Sequence, residues 1–197
     1  MIKIALTGSI GMGKSTVAAM FEAAGIPLFD ADSEVRRLQG GGGALVAPIA
    51  AQFPSAVRDG VVDRDALAVT VLGDREKLAQ LEALVHPAVR DAREQFIAHH
   101  ADAPALLFDI PLLFETRGER DFDTVIAVSA PAEVQRARVL ARPGMTSARL
   151  DAILARQLPD ADKCARADFV IDTGAELSTT QARVREIIAC LGLAAHD

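Results

Sequence analysis

The chain opens with the sequence MIKIALTGSIGMGKSTVAAMFEAAG over residues 1–25, and residues 8–15 of it, GSIGMGKS, match the spacing G-x-x-x-x-G-K-[ST] in full. Residues 2–7 predict a short buried strand, and residues 14–24 predict a helix that ends at a glycine. A glycine-rich loop between a strand and a helix turns backbone N–H groups, and the positive end of the helix dipole, toward phosphate oxygens. The stretch therefore predicts a nucleoside-triphosphate site, and its strand–loop–helix context disfavours a chance glycine turn.

The residues expected on the phosphates belong to this loop and to the first turn of the helix. Lys14 supplies a point charge to the β- and γ-phosphates, and the Ser15 hydroxyl is the expected Mg²⁺ ligand. The predicted phosphate-binding residues are Gly8, Gly11, Met12, Gly13, Lys14, Ser15 and Thr16. A GTPase normally reads guanine with an Asn-Lys-x-Asp segment, and the chain contains no asparagine. ATP with Mg²⁺ is accordingly the expected cofactor pair.

Composition and charge limit the kinds of molecule that this chain is expected to bind. The chain has 197 residues, 50% of them hydrophobic, a net charge of −6 and a pI of about 5.2. A chain of this size buries a substantial core, and its acidic field disfavours nucleic acid as the main partner. No apolar run reaches the roughly 20 residues that cross a bilayer, and the N-terminus lacks a signal-peptide cleavage site. We therefore expect a cytoplasmic monomer or weak homo-oligomer that acts on a small molecule, not on nucleic acid or a membrane.

Strands and helices alternate along most of the chain, which predicts an α/β fold with a parallel sheet covered by helices on both faces. The predicted strands are residues 2–7, 26–29, 105–109, 123–129 and 169–172. The long stretch 33–103 shows no convincing strand, so it predicts a helical insertion. Its clearest helix is 76–85, and we expect His86-Pro87 to end that helix and start another.

Three carboxylates at predicted strand ends are candidates for chemistry. Asp30 and Asp32 follow the second strand, at the edge of the sheet where the phosphate loop must also lie. Either can cap the next helix, and either can take a proton from an acceptor hydroxyl. Asp30 is favoured as the cap and Asp32 as the base, although the spacing leaves both interpretations open. Asp109 ends an apolar run, so it is either a Walker B carboxylate that holds Mg²⁺ through water or the cap of a turn.

Positive charge near the transferred phosphate must come largely from arginine, because the chain has only four lysines. The arginines on or just after the helix predicted from Pro131 are Arg136, Arg138, Arg142, Arg149 and Arg156. A solvated helix face is the simpler interpretation of any single one. Arg138 and Arg142 lie one turn apart and are the best candidates for a lid that closes over ATP. His86 has no partner at metal-ligand spacing, so the residues alone predict a buried structural histidine.

Beyond the loop, the motifs resemble one family closely, the dephospho-CoA kinases, which are relatives of the nucleoside monophosphate kinases. The resemblance covers nearly the whole chain, in order. Its most specific segments are Asp-Ala-Asp at 30–32 and Pro-Leu-Leu-Phe-Glu at 111–115. The other matching positions include Asp63-Arg64, His86-Pro87, Gln135, Arg138, Arg142, Gln157 and residues 167–172. Thr173 departs from the family pattern, in which asparagine is common after the last strand.

The resemblance implies a three-layer P-loop NTPase fold with a five-stranded parallel sheet, a helical insertion and a lid. It implies the following division: nucleotide-binding core 1–32, 104–141 and 166–197; acceptor-binding insertion 33–103; lid 142–165. It also implies that Asp32 is the catalytic carboxylate, while Lys14, Arg138 and Arg142 act on the developing charge. The implied acceptor-binding residues are Asp32, Arg64, His86, Asp109, Pro111, Leu112, Leu113 and Glu115.

The expected reaction is phosphorylation of the 3′-hydroxyl of dephospho-CoA by ATP. One alternative is another small-molecule or nucleotide kinase of the same fold, which would share the phosphate-site residues and differ in its acceptor. The second alternative is a non-catalytic ATP-binding regulatory protein, which would bind ATP without acceptor-dependent turnover. The acidic residue and the arginines expected around the phosphate loop disfavour this second alternative.

Overall fold

The computed structural model describes residues 1–193, which form an alternating α/β chain. In chain order the strands are β1 (Ile2–Thr7), β2 (Leu28–Asp30), β3 (Val57–Arg58), β4 (Val61–Val62), β5 (Ala105–Asp109), β6 (Thr124–Ser129) and β7 (Phe169–Asp172). The helices are α1 (Lys14–Ala23), α2 (Ala31–Gln39), α3 (Val46–Gln52), α4 (Arg64–Val71), α5 (Arg75–His99), α6 (Ala132–Leu140), α7 (Ser147–Leu154), α8 (Asp160–Arg166) and α9 (Leu177–Cys190).

The main sheet has five parallel strands in the order β2-β5-β1-β6-β7, so the predicted fold class is confirmed. Strand β1 lies at its centre, with Leu6 in register with Asp109 of β5 and Thr7 with Ala127 of β6. The carboxyl ends of β1 and β5 therefore meet at one edge of the sheet. The loop that follows β1 begins at this edge.

Alternate side chains of β1 enter two different apolar clusters, as the period of two in a strand requires. Ile4 and Leu6 pack with Phe21 of α1 and Ile187 of α9 on one face of the sheet. Ala5 packs on the opposite face with Leu113 and Phe114, residues that follow β5, and with Val125 of β6. Each large aliphatic side chain buried in this way contributes about 1.5–3 kcal/mol. This central burial fixes β1, and with it the start of the phosphate loop.

The chain divides into two compact units, one of residues 1–29 with the described residues from 100 onward, and one of residues 30–99. The second unit has its own apolar core, built on Leu38, Ile49 and Phe53. Helix α5 covers that core with Leu81, Leu84 and Val85, among other residues. Leu78 of the same helix is exposed.

The second unit contains a small antiparallel hairpin that the sequence interpretation missed. Strands β3 and β4 pair through Val57 with Val62 and through Arg58 with Val61. The two residues between them, Asp59 and Gly60, both have positive φ, at 50° and 73°. This is the conformation of a tight type I′ turn, and the Asp-Gly pair is a strong signal for it. The prediction that residues 33–103 contain no strand is therefore wrong.

Helix α5 runs without interruption through Pro87, so the predicted break at His86-Pro87 is also wrong. An internal proline removes one backbone hydrogen bond and costs about 3 kcal/mol or more. Side chains on both sides of the proline, Val85 before it and Ala88 and Val89 after it, pack against the same core. Because burial of both halves offsets the local cost, the helix continues.

The second strand begins two residues later than predicted. The amide of Gly25 donates to Glu22 O (2.9 Å), and the amide of Ile26 donates to Phe21 O (3.1 Å). Residues at this position therefore close the end of α1, and β2 begins only at Leu28.

Candidate active site

The phosphate loop connects β1 to α1, as predicted, and two of its glycines need their special conformation. Gly11 and Gly13 have φ of +79° and +84°, where other residues are strained. A Cβ on Gly11 would lie 2.5 Å from Cγ2 of Val139, and one on Gly13 would lie 3.0 Å from Oγ1 of Thr173. Glycine is therefore required at both positions by backbone conformation and by close packing against the following half of the chain.

Lys14, the first residue of α1, makes an ion pair with Asp109 at the end of β5. Both side chains are largely buried, with 14% and 9% of their surface exposed. The pairing of Leu6 with Asp109 carries this carboxylate to the start of the loop. The structure shows Asp109 as the partner of the Lys14 ammonium, and the predicted bond from Asp109 through water to Mg²⁺ stays a prediction. The Lys14 ammonium is thus held in a low-dielectric position at the loop.

The outer side of the loop is held by side chains from the C-terminal half. Gln135 of α6 donates from Nε2 to the carbonyl of Ile10 (2.8 Å), and Gln157 accepts from the amide of Ile10 at Oε1 (3.2 Å). Thr173, just after β7, donates from Oγ1 to the carbonyl of Met12 (2.7 Å). The backbone of the loop is therefore tied to three separate segments of the first unit.

Arg138 of α6 is anchored on the residue after β7. Its guanidinium donates to Oγ1 of Thr173 (2.9 Å) and to the carbonyl of the same residue (2.7 Å). A guanidinium has five N–H donors, so donors remain for an anion. Arg142 lies two residues beyond the end of α6 and is exposed. Its own amide donates to Val139 O (3.1 Å) in the turn that ends the helix.

The segment 111–115 after β5 presents its side chains in two directions. Leu113 and Phe114 are buried in the core, whereas Leu112 is exposed. The Pro111 carbonyl accepts hydrogen bonds from Thr7 Oγ1 (3.3 Å) and from Lys163 Nζ (3.1 Å). Leu113 therefore supports the segment from inside, and Leu112 is the apolar side chain of the segment that faces outward.

Glu115 is bound within the protein by a lysine that sequence reasoning gave no role. Lys163 of α8 is completely buried, and its Nζ lies 2.8 Å from Glu115 Oε1. The same oxygen accepts from the amide of Leu158 (2.7 Å). Burial alone would raise the pKa of Glu115. The hydrogen bonds from Lys163, Leu158 and the residue's own amide, together with the ammonium charge, outweigh burial and lower this pKa below its ordinary value.

Asp30 and Asp32 have separate positions at the start of α2, in the second unit. Asp30 is the N-cap: its carboxylate accepts from the amides of Asp32 (2.9 Å) and Ser33 (3.1 Å). The predicted choice of Asp30 as the cap is confirmed. Asp32 lies in the first helical turn with an exposed side chain, so capping does not occupy its carboxylate.

Two other predicted acceptor residues also lie in the second unit. Arg64 is the first residue of α4 and is exposed, after the N-cap Asp63, whose carboxylate accepts from Ala66 N (3.0 Å). His86 lies on α5 and is exposed, so the prediction of a buried structural histidine is wrong. The reason is the uninterrupted helix, which directs the neighbouring Val85 to the core and His86 outward.

Four residues of the site were not assigned a role from the residues alone: Gln135, Gln157, Lys163 and Thr173. Each acts across a sequence separation of 48 to 161 residues, through bonds to Ile10, Glu115 and Met12. No local pattern marks such residues, because their function depends on which distant backbone group they meet. In the sequence, Gln135 and Gln157 were marked only as positions that match the family, and Thr173 only as a departure from it.

Among residues 1–193, no helix is long and apolar enough to span a bilayer. In the same part of the chain, no three His, Cys, Asp or Glu side chains form a cluster that could hold a metal ion.

The matching family model and the similar curated proteins agree on one family. The CoaE family model, described as dephospho-CoA kinase, matches residues 2–179. The dephospho-CoA kinase of Novosphingobium aromaticivorans is 53% identical over 186 residues, which cover 94% of this chain and 92% of the relative. That of Mesorhizobium japonicum is 53% identical over 191 residues, which cover 95% of each chain.

Solved structures agree in fold. A crystal structure of a Thermus thermophilus protein matches with a TM-score of 0.84 and 35% identity, over 96% of both chains. The dephospho-CoA kinase of Campylobacter jejuni matches with a TM-score of 0.68 over 96% of both chains, at 21% identity, and is similar in fold.

Proposed function

The chain belongs to the dephospho-CoA kinase family and is an ATP-dependent kinase, and from this premise we propose how its residues carry out the reaction. The γ-phosphate of ATP is transferred to the 3′-hydroxyl of dephospho-CoA, which gives CoA and ADP. The observation that carries this proposal is the complete phosphate loop with Lys14 held at the end of β5 by Asp109. In this arrangement a positive charge lies where phosphate oxygens meet the start of α1.

The proposed roles of the parts of the chain follow the domain boundaries predicted from the sequence. Residues 1–32, 104–141 and 166–197 bind the nucleotide, residues 33–103 bind the acceptor, and residues 142–165 form a lid. Closure of a lid over ATP excludes water that would otherwise hydrolyse the nucleotide.

In the proposed reaction the acceptor oxygen attacks the γ-phosphorus, and the bond from that phosphorus to the leaving oxygen of ADP breaks. The hydroxyl proton passes to the carboxylate of Asp32, which is exposed and not used as a cap. A positioned base of this kind is worth roughly 10²–10⁴-fold in rate. Lys14, Arg138 and Arg142 stabilise the charge that develops on the transferred group.

Each residue proposed to bind the acceptor offers a particular contact. Exposed Arg64 supplies positive charge for the diphosphate of dephospho-CoA, and exposed His86 supplies a hydrogen-bond donor. In the segment after β5, Leu112 offers an apolar contact, while Pro111, Leu113 and Glu115 give that segment its shape through core packing and the bonds to Lys163. Asp109 contributes through its ion pair with Lys14.

The oxygen donors at the phosphate loop fit Mg²⁺. Ser15 has a hydroxyl in the first turn of α1, and Asp109 has a carboxylate at the end of β5. Mg²⁺ prefers such hard oxygen ligands and usually takes one or two from the protein, with the remainder from phosphate and water. When bound with ATP, the ion would supply positive charge for the β- and γ-phosphate oxygens.

We also propose a cytoplasmic enzyme that acts as a monomer or weak homo-oligomer, with neither nucleic acid nor a membrane as partner. The net charge of −6 supports the exclusion of nucleic acid. Molar mass from light scattering, compared with the chain mass of 20.8 kDa, tests the oligomeric state directly.

The deciding experiment measures ADP release from Mg·ATP with dephospho-CoA, with AMP, and without acceptor. We expect strong stimulation by dephospho-CoA alone and a loss of about 10²-fold or more in Asp32→Asn. Asp91→Asn, another exposed carboxylate of the second unit, serves as the matched control and should retain the native rate. Equal rates with every acceptor would leave a nucleotide-binding protein without this activity. Stimulation by AMP would indicate a different kinase.

A further inference from the structure

The phosphate loop turns two of its carbonyl groups outward, and each meets a side-chain donor. The carbonyl of Ile10 accepts from Gln135 Nε2 at 2.8 Å, and the carbonyl of Met12 accepts from Thr173 Oγ1 at 2.7 Å. The amide of Met12 instead donates to Ser9 O (3.2 Å) and closes the turn of the loop. The Ile10–Gly11 and Met12–Gly13 peptide units are therefore each held by a side chain from another segment of the protein.

The orientation of these carbonyls determines the orientation of the next amides. The described peptide bonds are all trans, and in a planar trans peptide the C=O and the following N–H point in opposite directions. A bond that holds Ile10 C=O toward Gln135 thus aims the N–H of Gly11 away from Gln135. A bond that holds Met12 C=O toward Thr173 likewise aims the N–H of Gly13 away from Thr173.

Both donors are rigidly placed, which a positioning role requires. Gln135 and Thr173 are 6% and 7% exposed. The Oγ1 atom of Thr173 accepts a hydrogen bond from Arg138 Nη1, so the hydroxyl hydrogen points away from Arg138. That hydrogen is donated to Met12 O, and a second carbonyl, Ser129 O, lies at a longer 3.3 Å. A hydroxyl with its acceptor side occupied has a defined donor direction.

The same two residues pack against the glycines whose amides they orient. A Cβ on Gly11 would lie 3.1 Å from the backbone oxygen and 3.3 Å from Cγ of Gln135. A Cβ on Gly13 would lie 3.0 Å from Oγ1 of Thr173. Gly11 and Gly13 have positive φ and the freest backbone of the loop, so an outside contact is needed to select one orientation of each peptide.

We propose that Gln135 and Thr173 are positioning residues that aim the Gly11 and Gly13 amides at the ATP phosphates, with Arg138 holding Thr173 in place. The inference rests on the proposed function for the identity of the ligand. In this role the two side chains orient the phosphate-binding amides before ATP binds. Without them, that orientation would depend on two flexible glycine peptides. Gln157, which binds the amide of Ile10, does not hold either of these carbonyls.

The test is nucleotide binding by titration calorimetry with Mg²⁺, using ADP and AMP as separate ligands. AMP lacks the β-phosphate, so the ratio of ADP affinity to AMP affinity reports on the phosphate cradle, whereas a general defect lowers both affinities. The variants are Thr173→Val and Gln135→Met, which remove a donor at similar volume, and Thr173→Ser, which restores the hydroxyl. Thr180→Val is the matched control, because Thr180 is a buried threonine whose hydroxyl donates to the backbone carbonyl of Asp172 (3.2 Å), not to the loop.

We expect the ADP-to-AMP affinity ratio to fall about fivefold in Thr173→Val and in Gln135→Met, the equivalent of one net hydrogen bond. Thr173→Ser and Thr180→Val should retain the native ratio. A native ratio in both Thr173→Val and Gln135→Met would overturn the proposal, as would an equal fall in Thr180→Val. If Thr173→Val does not give the native circular dichroism spectrum, Gln135→Met alone decides. Because ADP binding needs no acceptor, a failure of dephospho-CoA to stimulate turnover would refute the proposed function without affecting this result.

Discussion

Removal of the buried ammonium in Lys163→Met should destabilise the first unit strongly. The native Nζ is fully buried, 2.8 Å from Glu115 Oε1 and 3.1 Å from the Pro111 carbonyl. Without it, Glu115 keeps the backbone hydrogen bonds from Leu158 and from its own amide but no compensating positive charge, and its Oε2 has no hydrogen-bond partner within residues 1–193. Removing one member of a buried ion pair typically costs about 3–5 kcal/mol, since the other charge remains uncompensated. The Glu115 side chain is 17% exposed, so solvent partly screens the remaining charge, and we expect about 3 kcal/mol, the lower end of this range.

A second substitution separates the charge from the packing. In Lys163→Met combined with Glu115→Gln, no uncompensated charge remains, and replacement of a buried pair by neutral groups is often close to neutral. The double variant should therefore be more stable than Lys163→Met alone by about 1–2 kcal/mol, a non-additivity expected of residues in contact.

The assay is urea unfolding followed by far-UV circular dichroism, because the chain contains no tryptophan or tyrosine for fluorescence. A shift in midpoint at constant slope measures the change in the free energy of unfolding. Residues 30–99 have a separate core, so any second transition should keep its native midpoint. A loss below about 1 kcal/mol in Lys163→Met, or a double variant as unstable as this single variant, would refute the uncompensated-charge argument.

The pH dependence provides an independent check of the same pair. The folded protein lowers the pKa of Glu115, so the stabilisation by this carboxylate is fully present above the pKa of the unfolded chain, about 4.3. It is lost as the pH falls through the lower folded-state pKa. Native protein should therefore lose its advantage over Glu115→Gln progressively below about pH 4. A difference that stays constant down to pH 2 would contradict this assignment.

Substitutions at four other positions test separate parts of the molecule. Lys14→Met should lower kcat by about 10²–10³-fold, as expected for loss of a preorganised charge, and a near-native kcat in the coupled ADP-release assay would exclude that role. Gly11→Ala should abolish measurable ADP binding in calorimetry, because its Cβ would meet Val139 at 2.5 Å and its φ is +79°; retained affinity would show that the loop tolerates a different shape. Asp30→Ala should destabilise the second unit by about 1 kcal/mol in urea, while Asp30→Asn should retain most of the cap. Pro87→Ala should raise the thermal midpoint, since it restores a helical amide worth up to about 3 kcal/mol, and an unchanged midpoint would mean that the proline costs α5 little.

The sequence identified the features that depend on neighbouring residues. The phosphate loop, the strand before it and the helix after it were predicted because glycine spacing and apolar periodicity are local. The cap at Asp30 was also favoured correctly, because a cap acts on amides two and three residues away. The hairpin at Asp59-Gly60 has an equally local signal, but it was missed because the surrounding residues show a helical pattern. The break predicted at Pro87 was wrong because local propensity there is outweighed by burial on both sides.

Tertiary structure decided the partners of the charged and polar side chains. The sequence marked Asp109 as a strand-end carboxylate, but its ion pair with Lys14 depends on β5 lying beside β1 in one particular register. Glu115 was noted as part of a motif, and only the fold shows that Lys163 binds its carboxylate. Thr173 was noted as a departure from a family pattern, and its bond to the loop joins residues 161 positions apart. Periodicity and spacing constrain contacts within a few residues, whereas these contacts arise when distant segments are brought together by the burial of a shared core.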